Sequence, residues 1–201
     1  MAQLIENTIK NRIYGHGRGW CFTIDHFSDL KNNENVKKAL QNLTNKGMIR
    51  RLARGLYDYP RQDPDMGTLS PDIDSIAKAI SEKDHVRIQA SGAYAANLVG
   101  LSEQVPAKVV FATEGVAKKV VIGKLEISFK RASPKSMVMA GTEMGLIIQA
   151  LRHIGSHRVD AQMKQTLKRR LKKIHRKEFN KALKYSPTWI RELLIKLVGN
   201  S

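Results

Sequence analysis

Apolar residues recur along the first sixty positions in three helical stripes followed by two short strand-like runs. Leu4, Ile5, Ile9 and Ile13 are spaced to share one helical face, which predicts a helix over residues 2–14, and Gly15, Gly17 and Gly19 stop it. Thr23 is placed to cap a second, short helix holding Ile24, Phe27 and Leu30, with Asp25 early enough to suit the helix dipole. Asn33 then caps a third helix, with Val36, Ala39, Leu40 and Leu43 on one face and Gly47 as its end. Met48–Leu52 and Leu56–Tyr59 flank a turn at Arg54–Gly55, the pattern of a β-hairpin with a basic tip.

The stretch PRQDPDMGTLSP, from Pro60 to Pro71, holds three of the six prolines and almost no apolar side chains, so residues 61–71 are expected to be a linker. A second unit starts at residue 72. Pro71–Asp72 resembles a helix start ahead of Ile73, Ile76, Ala77 and Ile80, and Val86 and Ile88 alternate as a short strand. Ser91 caps a helix that Gly100 ends. Strands are expected over 107–113 and 120–129, with Gly123 in a turn. Beyond Gly141 the period is helical throughout, with helices over 142–154, 159–175 and 187–198.

Three short helices followed at once by a hairpin is the order of a winged helix-turn-helix. The expected fold class is therefore α+β: an N-terminal winged helix-turn-helix over residues 1–60, then a mixed α/β domain over 72–201 whose tail, 159–201, consists of C-terminal basic helices. The third helix turns Glu34, Lys38, Gln41 and Asn45 away from its apolar stripe, flanked by Asn35, Lys37 and Asn42.

Charge sharpens this picture. The 201 residues carry 35 Lys and Arg against 18 Asp and Glu, a formal net charge of +17, which points to a polyanionic partner through counterion release. Asn and Gln pair bidentately with adenine and Lys reaches guanine, so Asn35, Lys37, Lys38, Gln41, Asn42 and Asn45 are the base-reading candidates. Arg50, Arg51 and Arg54 of the hairpin are phosphate candidates. A further basic run, between Lys164 and Lys184, makes Lys168, Arg169, Lys172, Lys173 and Arg176 candidates for secondary nucleic-acid contact. Double-stranded DNA is the first partner these residues suggest. An RNA-binding module built on the basic C-terminal helix, a winged helix that contacts proteins, and a nucleic-acid enzyme stay open beside it.

Enzyme signals are poor, and no catalytic residue, cofactor or metal is expected. The six histidines are scattered without metal-ligand spacing, and Gly15–Gly19 follows a helix rather than a strand and lacks the ending of a phosphate-binding loop. Cys21 is the single cysteine and sits in an apolar run, which suits a buried thiol. No apolar run reaches membrane-spanning length and the N-terminus lacks a secretion signal, so a cytoplasmic location without membrane association is expected.

The runs Gly19-Trp20-Cys21-Phe22-Thr23 and Gly47 to Pro60, together with Ala39, Leu40 and Leu43, resemble the N-terminal domain of AbiEi-type antitoxins. Ser91 to Leu101 with the strand after Pro106 is similar to the domain that follows in that family, so the resemblance covers about residues 1–155. It implies an autoregulating antitoxin of a type IV toxin-antitoxin (abortive infection) system, a repressor that binds operator DNA repeats through its winged helix. The partner it implies is a cognate nucleotidyltransferase-like toxin, antagonised functionally and not necessarily by physical contact, with the second domain linked to neutralisation.

Overall fold

The structure, a computed structural model, describes residues 2–199, which divide between His85 and Val86 into two compact units. The first unit opens with α1 (Ala2–His16), which buries Ile9 and Ile13. Leu4, expected on the same face, is 71% exposed, because at 3.6 residues per turn it falls well off the Ile5–Ile9–Ile13 stripe; Glu6 takes the inward position instead.

After α1 come β1 (Cys21–Thr23), a 3₁₀ segment (Ile24–Leu30) kinked at Phe27, and α2 (Asn33–Asn45). Three residues are too few to display a period, which is why β1 was not legible as a strand. The Thr23 backbone N–H donates to His26 Nδ1 at 3.1 Å, closing the start of the 3₁₀ segment. Asn32, one residue earlier than expected, caps α2 by accepting from the Asn35 N–H at 3.0 Å. β2 (Arg50–Ala53) and β3 (Leu56–Asp58) follow around Gly55, whose φ of 74° the tight turn requires. The sheet order is β1-β3-β2, with both outer strands antiparallel to β3. Phe22, Phe27, Val36, Leu40, Leu43 and Ile49 join Ile9 and Ile13 in one core.

Residues 61–71, expected as a linker, contain a small antiparallel hairpin, β4 (Gln62–Asp63) and β5 (Gly67–Thr68), in which Asp63 Oδ1 accepts from the Asp65 and Met66 N–H groups. α3 (Ile73–Asp84), capped by Asp72, packs on β1 and belongs to the first unit rather than the second. Its apolar face of Ile76, Ala77 and Ile80 is what draws the acidic, proline-rich segment back onto the unit.

The second unit contains β6 (Ile88–Ser91), α4 (Gly92–Val99), β7 (Lys108–Thr113), β8 (Lys118–Ile122) and β9 (Leu125–Arg131). Its sheet runs β6-β7-β9-β8: β7 and β9 are parallel, and the outer pairings are antiparallel. A short helix α5 (Pro134–Met137) leads to α6 (Glu143–Ile154), α7 (Ala161–Leu171), α8 (Arg176–Tyr185) and α9 (Thr188–Gly199). α6 packs on α4, and its Gly145 lies against the preceding loop and β6, where a Cβ would overlap the Met139 carbonyl and crowd Gln89. The helix expected over 159–175 is α7, which ends at Leu171, and α8 is a further helix that begins beyond that range. His175 caps α8 by accepting from the Lys177 N–H at 3.3 Å, and the break lets Ile174 pack on the core formed by Leu151, Leu167, Ile190 and Leu194. The architecture is thus mixed α+β, with several small sheets and helices dominating the C-terminal third.

Candidate nucleic-acid interface

The apolar stripe of α2 is wholly buried, and that fixes which side chains face out. Lys37, Lys38, Gln41, Asn42 and Asn45 are exposed and Asn35 is half-buried. Their existing partners separate them. Lys38 makes no ion pair with a described residue, whereas Lys37 Nζ sits 2.7 Å from Glu34 Oε1 and Gln41 donates to Asn45 Oδ1 at 2.9 Å. The Lys37 hydrogen bond holds the Glu34 carboxyl below its ordinary range, so the acidic residue on this face is charged and paired.

Asn42, expected to read bases, is turned instead toward α1, where it donates to Glu6 Oε2 at 3.0 Å; Lys46 donates to Glu6 Oε1 at 2.5 Å. Hydrogen bonds from Lys46 and then Asn42 hold the buried Glu6 carboxyl below its ordinary value. Lone-residue spacing could not reveal this, because the partner lies 36 positions away.

The hairpin arginines also divide. Arg50, expected on phosphate, forms a two-pronged ion pair with Asp58, at 3.0 and 2.5 Å, and donates to the Leu69 carbonyl at 2.8 Å. Asp58 is only 1% exposed, so Arg50 is committed to neutralising a buried carboxylate. Arg51 on β2 and Arg54 at the turn are exposed and have no ion pair among the described residues. Arg18, absent from the expected set, lies 4.8 Å over the Tyr59 ring and donates to the Pro60 carbonyl.

Beside these elements a cavity of about 490 Å³ is lined by His16, Trp20, Cys21, His26, Glu82 and other polar residues of the first unit. His26 Nε2 lies 3.0 Å from Glu82 Oε2, and His16 stacks on Trp20 with ring centroids 3.8 Å apart. Burial, reinforced by Asp58, pushes the Cys21 thiol up to about 12, which suppresses the reactive thiolate. Among the described residues no cluster of His, Cys, Asp or Glu is placed to hold a metal ion, and no helix is long and apolar enough to cross a membrane.

Charge is distributed very unevenly. Residues 1–85 hold 13 Lys and Arg against 11 Asp and Glu, a net of +2, while residues 86–201 hold 22 against 7, a net of +15. Of the secondary candidates, Lys168 and Arg169 lie on α7, Lys172 and Lys173 in the α7–α8 turn, and Arg176 at the start of α8. Arg169 donates to Thr166 Oγ1 at 3.2 Å. Arg170 is tied to Glu143 at 2.5 Å and to the Leu98 carbonyl, and its guanidinium acts as a tether between α7 and the α4–α6 layer. The outward face of α8 adds Lys177, Lys181 and Lys184, all exposed; their spacing of four and three was a signal available in the sequence.

The chain is therefore an α+β protein of two units, the second strongly cationic and helical at its end. It belongs to the Family of unknown function (DUF6088), whose model matches residues 8–179, spanning both units from within α1 into α8. No curated protein matches the chain.

Proposed function

We propose that the chain is a sequence-specific DNA-binding transcriptional repressor whose first unit docks as a winged helix-turn-helix. The observation that carries this reading is the element order α1, β1, the 3₁₀ segment, α2, β2, β3, with one polar face of α2 and the β2–β3 tip both left open. In that arrangement α2 enters the major groove and the hairpin lies along the neighbouring backbone. Lys38, Gln41 and Asn45 are the base-reading set, with Lys37 beside them. Arg51 and Arg54 are the phosphate contacts. The Gln41–Asn45 hydrogen bond is exchanged for base edges on binding, a replacement that costs little because both amides remain satisfied.

The regulatory setting follows from the resemblance to AbiEi-type antitoxins: a cytoplasmic repressor of its own operon, binding promoter repeats and antagonising a nucleotidyltransferase-like toxin. In this reading the net +15 of the second unit adds sequence-independent attraction to the duplex. The same charge favours a second reading, an RNA-binding module centred on α7 and α8, which would prefer structured RNA to duplex DNA at matched salt.

Footprinting on the chain's own promoter tests the first reading. Changing Lys38, Gln41 and Asn45 together to Ala is expected to abolish the preference for that promoter over unrelated duplex while leaving the circular dichroism spectrum intact. An unchanged footprint, or tighter binding of structured RNA by the parent chain, overturns it.

A further inference from the structure

Within the second unit, α7 and α9 pack through Leu167, Leu171, Ile190 and Leu194, and beside this seam they leave an open groove of about 510 Å³. Its floor is apolar, formed by Leu193 and Leu197 of α9 and Ala161 of α7. Its rims are cationic: Lys164 and Lys168 lie one turn apart on α7, and Lys196 lies on α9. The remaining lining residue is Gln165, so no carboxylate among the described residues lines the groove. Lys164 and Lys196 are exposed and make no ion pair with a described residue.

An occupant that satisfies both parts must be apolar beneath and anionic along both edges. A duplex phosphate backbone would meet the lysines and leave the leucine floor against water. A single strand stacks its bases on aromatic rings or guanidinium planes, and the lining has neither. A helix with apolar residues at i, i+3, i+4 and i+7 and carboxylates on its flanks meets the floor and the rims together. The length of α7, 11 residues or about 16 Å, suits about three turns of such a helix. We propose that the α7–α9 groove is a docking site for an acidic amphipathic helix of a partner protein, separate from the cationic outer face of α8.

The probe is a labelled 14-residue synthetic peptide with Leu at i, i+3, i+4 and i+7 and Glu on the flanking positions, titrated by fluorescence anisotropy against the full chain. A peptide of the same composition, scrambled to break the leucine stripe, is the control. The patterned peptide is expected to bind at least tenfold more tightly than the scrambled one and to gain helical circular dichroism. Reversing the rims with Lys164→Glu and Lys196→Glu is expected to lower its affinity at least tenfold. Ala161→Trp, an exposed position that fills the floor without touching the core, is expected to do the same while leaving the thermal unfolding midpoint unchanged. Equal binding of the two peptides, or unchanged affinity in the folded Ala161→Trp chain, overturns the proposal. So does a single-stranded oligonucleotide or an anionic phosphatidylserine vesicle that displaces the patterned peptide and loses affinity in the rim variant.

Discussion

Glu6 on α1 is held by Asn42 of α2 and by Lys46 at that helix's C-terminal cap, and this three-way contact aligns the helix that carries the candidate reading face. Removing the carboxylate with Glu6→Ala is expected to cost about 1–2 kcal/mol, since it removes two charge-assisted hydrogen bonds while Lys46 remains solvated. The pH dependence has a definite sign. Hydrogen bonds from Lys46 and Asn42 lower the folded-state value of Glu6 below its ordinary 4.5, so the unfolded chain takes up the proton first. The stabilisation is full above about pH 4.5 and disappears as pH falls through the lowered value. Urea unfolding at stepped pH should show a shallower acid limb for Glu6→Gln than for the parent. The limb will not vanish, because Asp29, Glu34, Glu114 and Glu126 are lowered by their own partners.

Arg50 is expected to behave as a structural residue. Arg50→Ala strands the buried Asp58 carboxylate and should destabilise the first unit by about 3 kcal/mol in chemical denaturation, whereas replacing both members with Met and Leu should recover much of that stability. If Arg50→Ala instead left stability intact and weakened DNA binding alone, the assignment of Arg50 to the fold would be wrong.

Salt dependence apportions the charge between the two units. Changing Arg51 and Arg54 to Gln should flatten the slope of log affinity against log salt by up to about 0.9 for each phosphate no longer neutralised. The same change at Lys177, Lys181 and Lys184 measures what the outer face of α8 adds. Truncating the basic tail cannot answer the question, because Leu167, Leu171, Ile190 and Leu194 are buried and their removal opens the core of the second unit.

Cys21 should resist alkylation. With burial and Asp58 pushing its thiol to about 12, iodoacetamide at pH 8 is expected to label the folded chain at least a hundredfold more slowly than the chain in 8 M urea, on the order set by thiolate fraction and access together. Rapid labelling of the folded chain would show that β1 opens readily.

The legible parts of the fold were those with a long period or a conspicuous breaker. Val36–Leu43 and Ile73–Ile80 announced helices through their stripes, and Gly55 and Gly123 marked hairpins whose turns do adopt positive φ. What stayed hidden was set by distant partners or by short segments. β1 has three residues, the hairpin within 61–71 has two-residue strands, and α3 joins the first unit through packing on β1 and the His26–Glu82 contact, both distant in sequence. The candidate face followed the same rule. Exposure of Lys38, Gln41 and Asn45 could be read from the helical angle, but nothing local to Asn42 or Arg50 discloses Glu6 or Asp58.

The sheet of the second unit also constrains the order in which it assembles. β9 lies between β7 and β8, although it follows both in the chain, so residues 114–117 must bridge two strand spacings, about 10 Å. The β8–β9 hairpin is local and can close in about 1–10 μs, whereas the parallel β7–β9 pairing needs a longer loop to be closed. β9 therefore reaches β7 as part of a ready-made hairpin. A residue that spoils the hairpin turn, such as Gly123→Val, should then retard refolding in stopped-flow experiments by most of the stability it removes and leave the unfolding rate nearly unchanged.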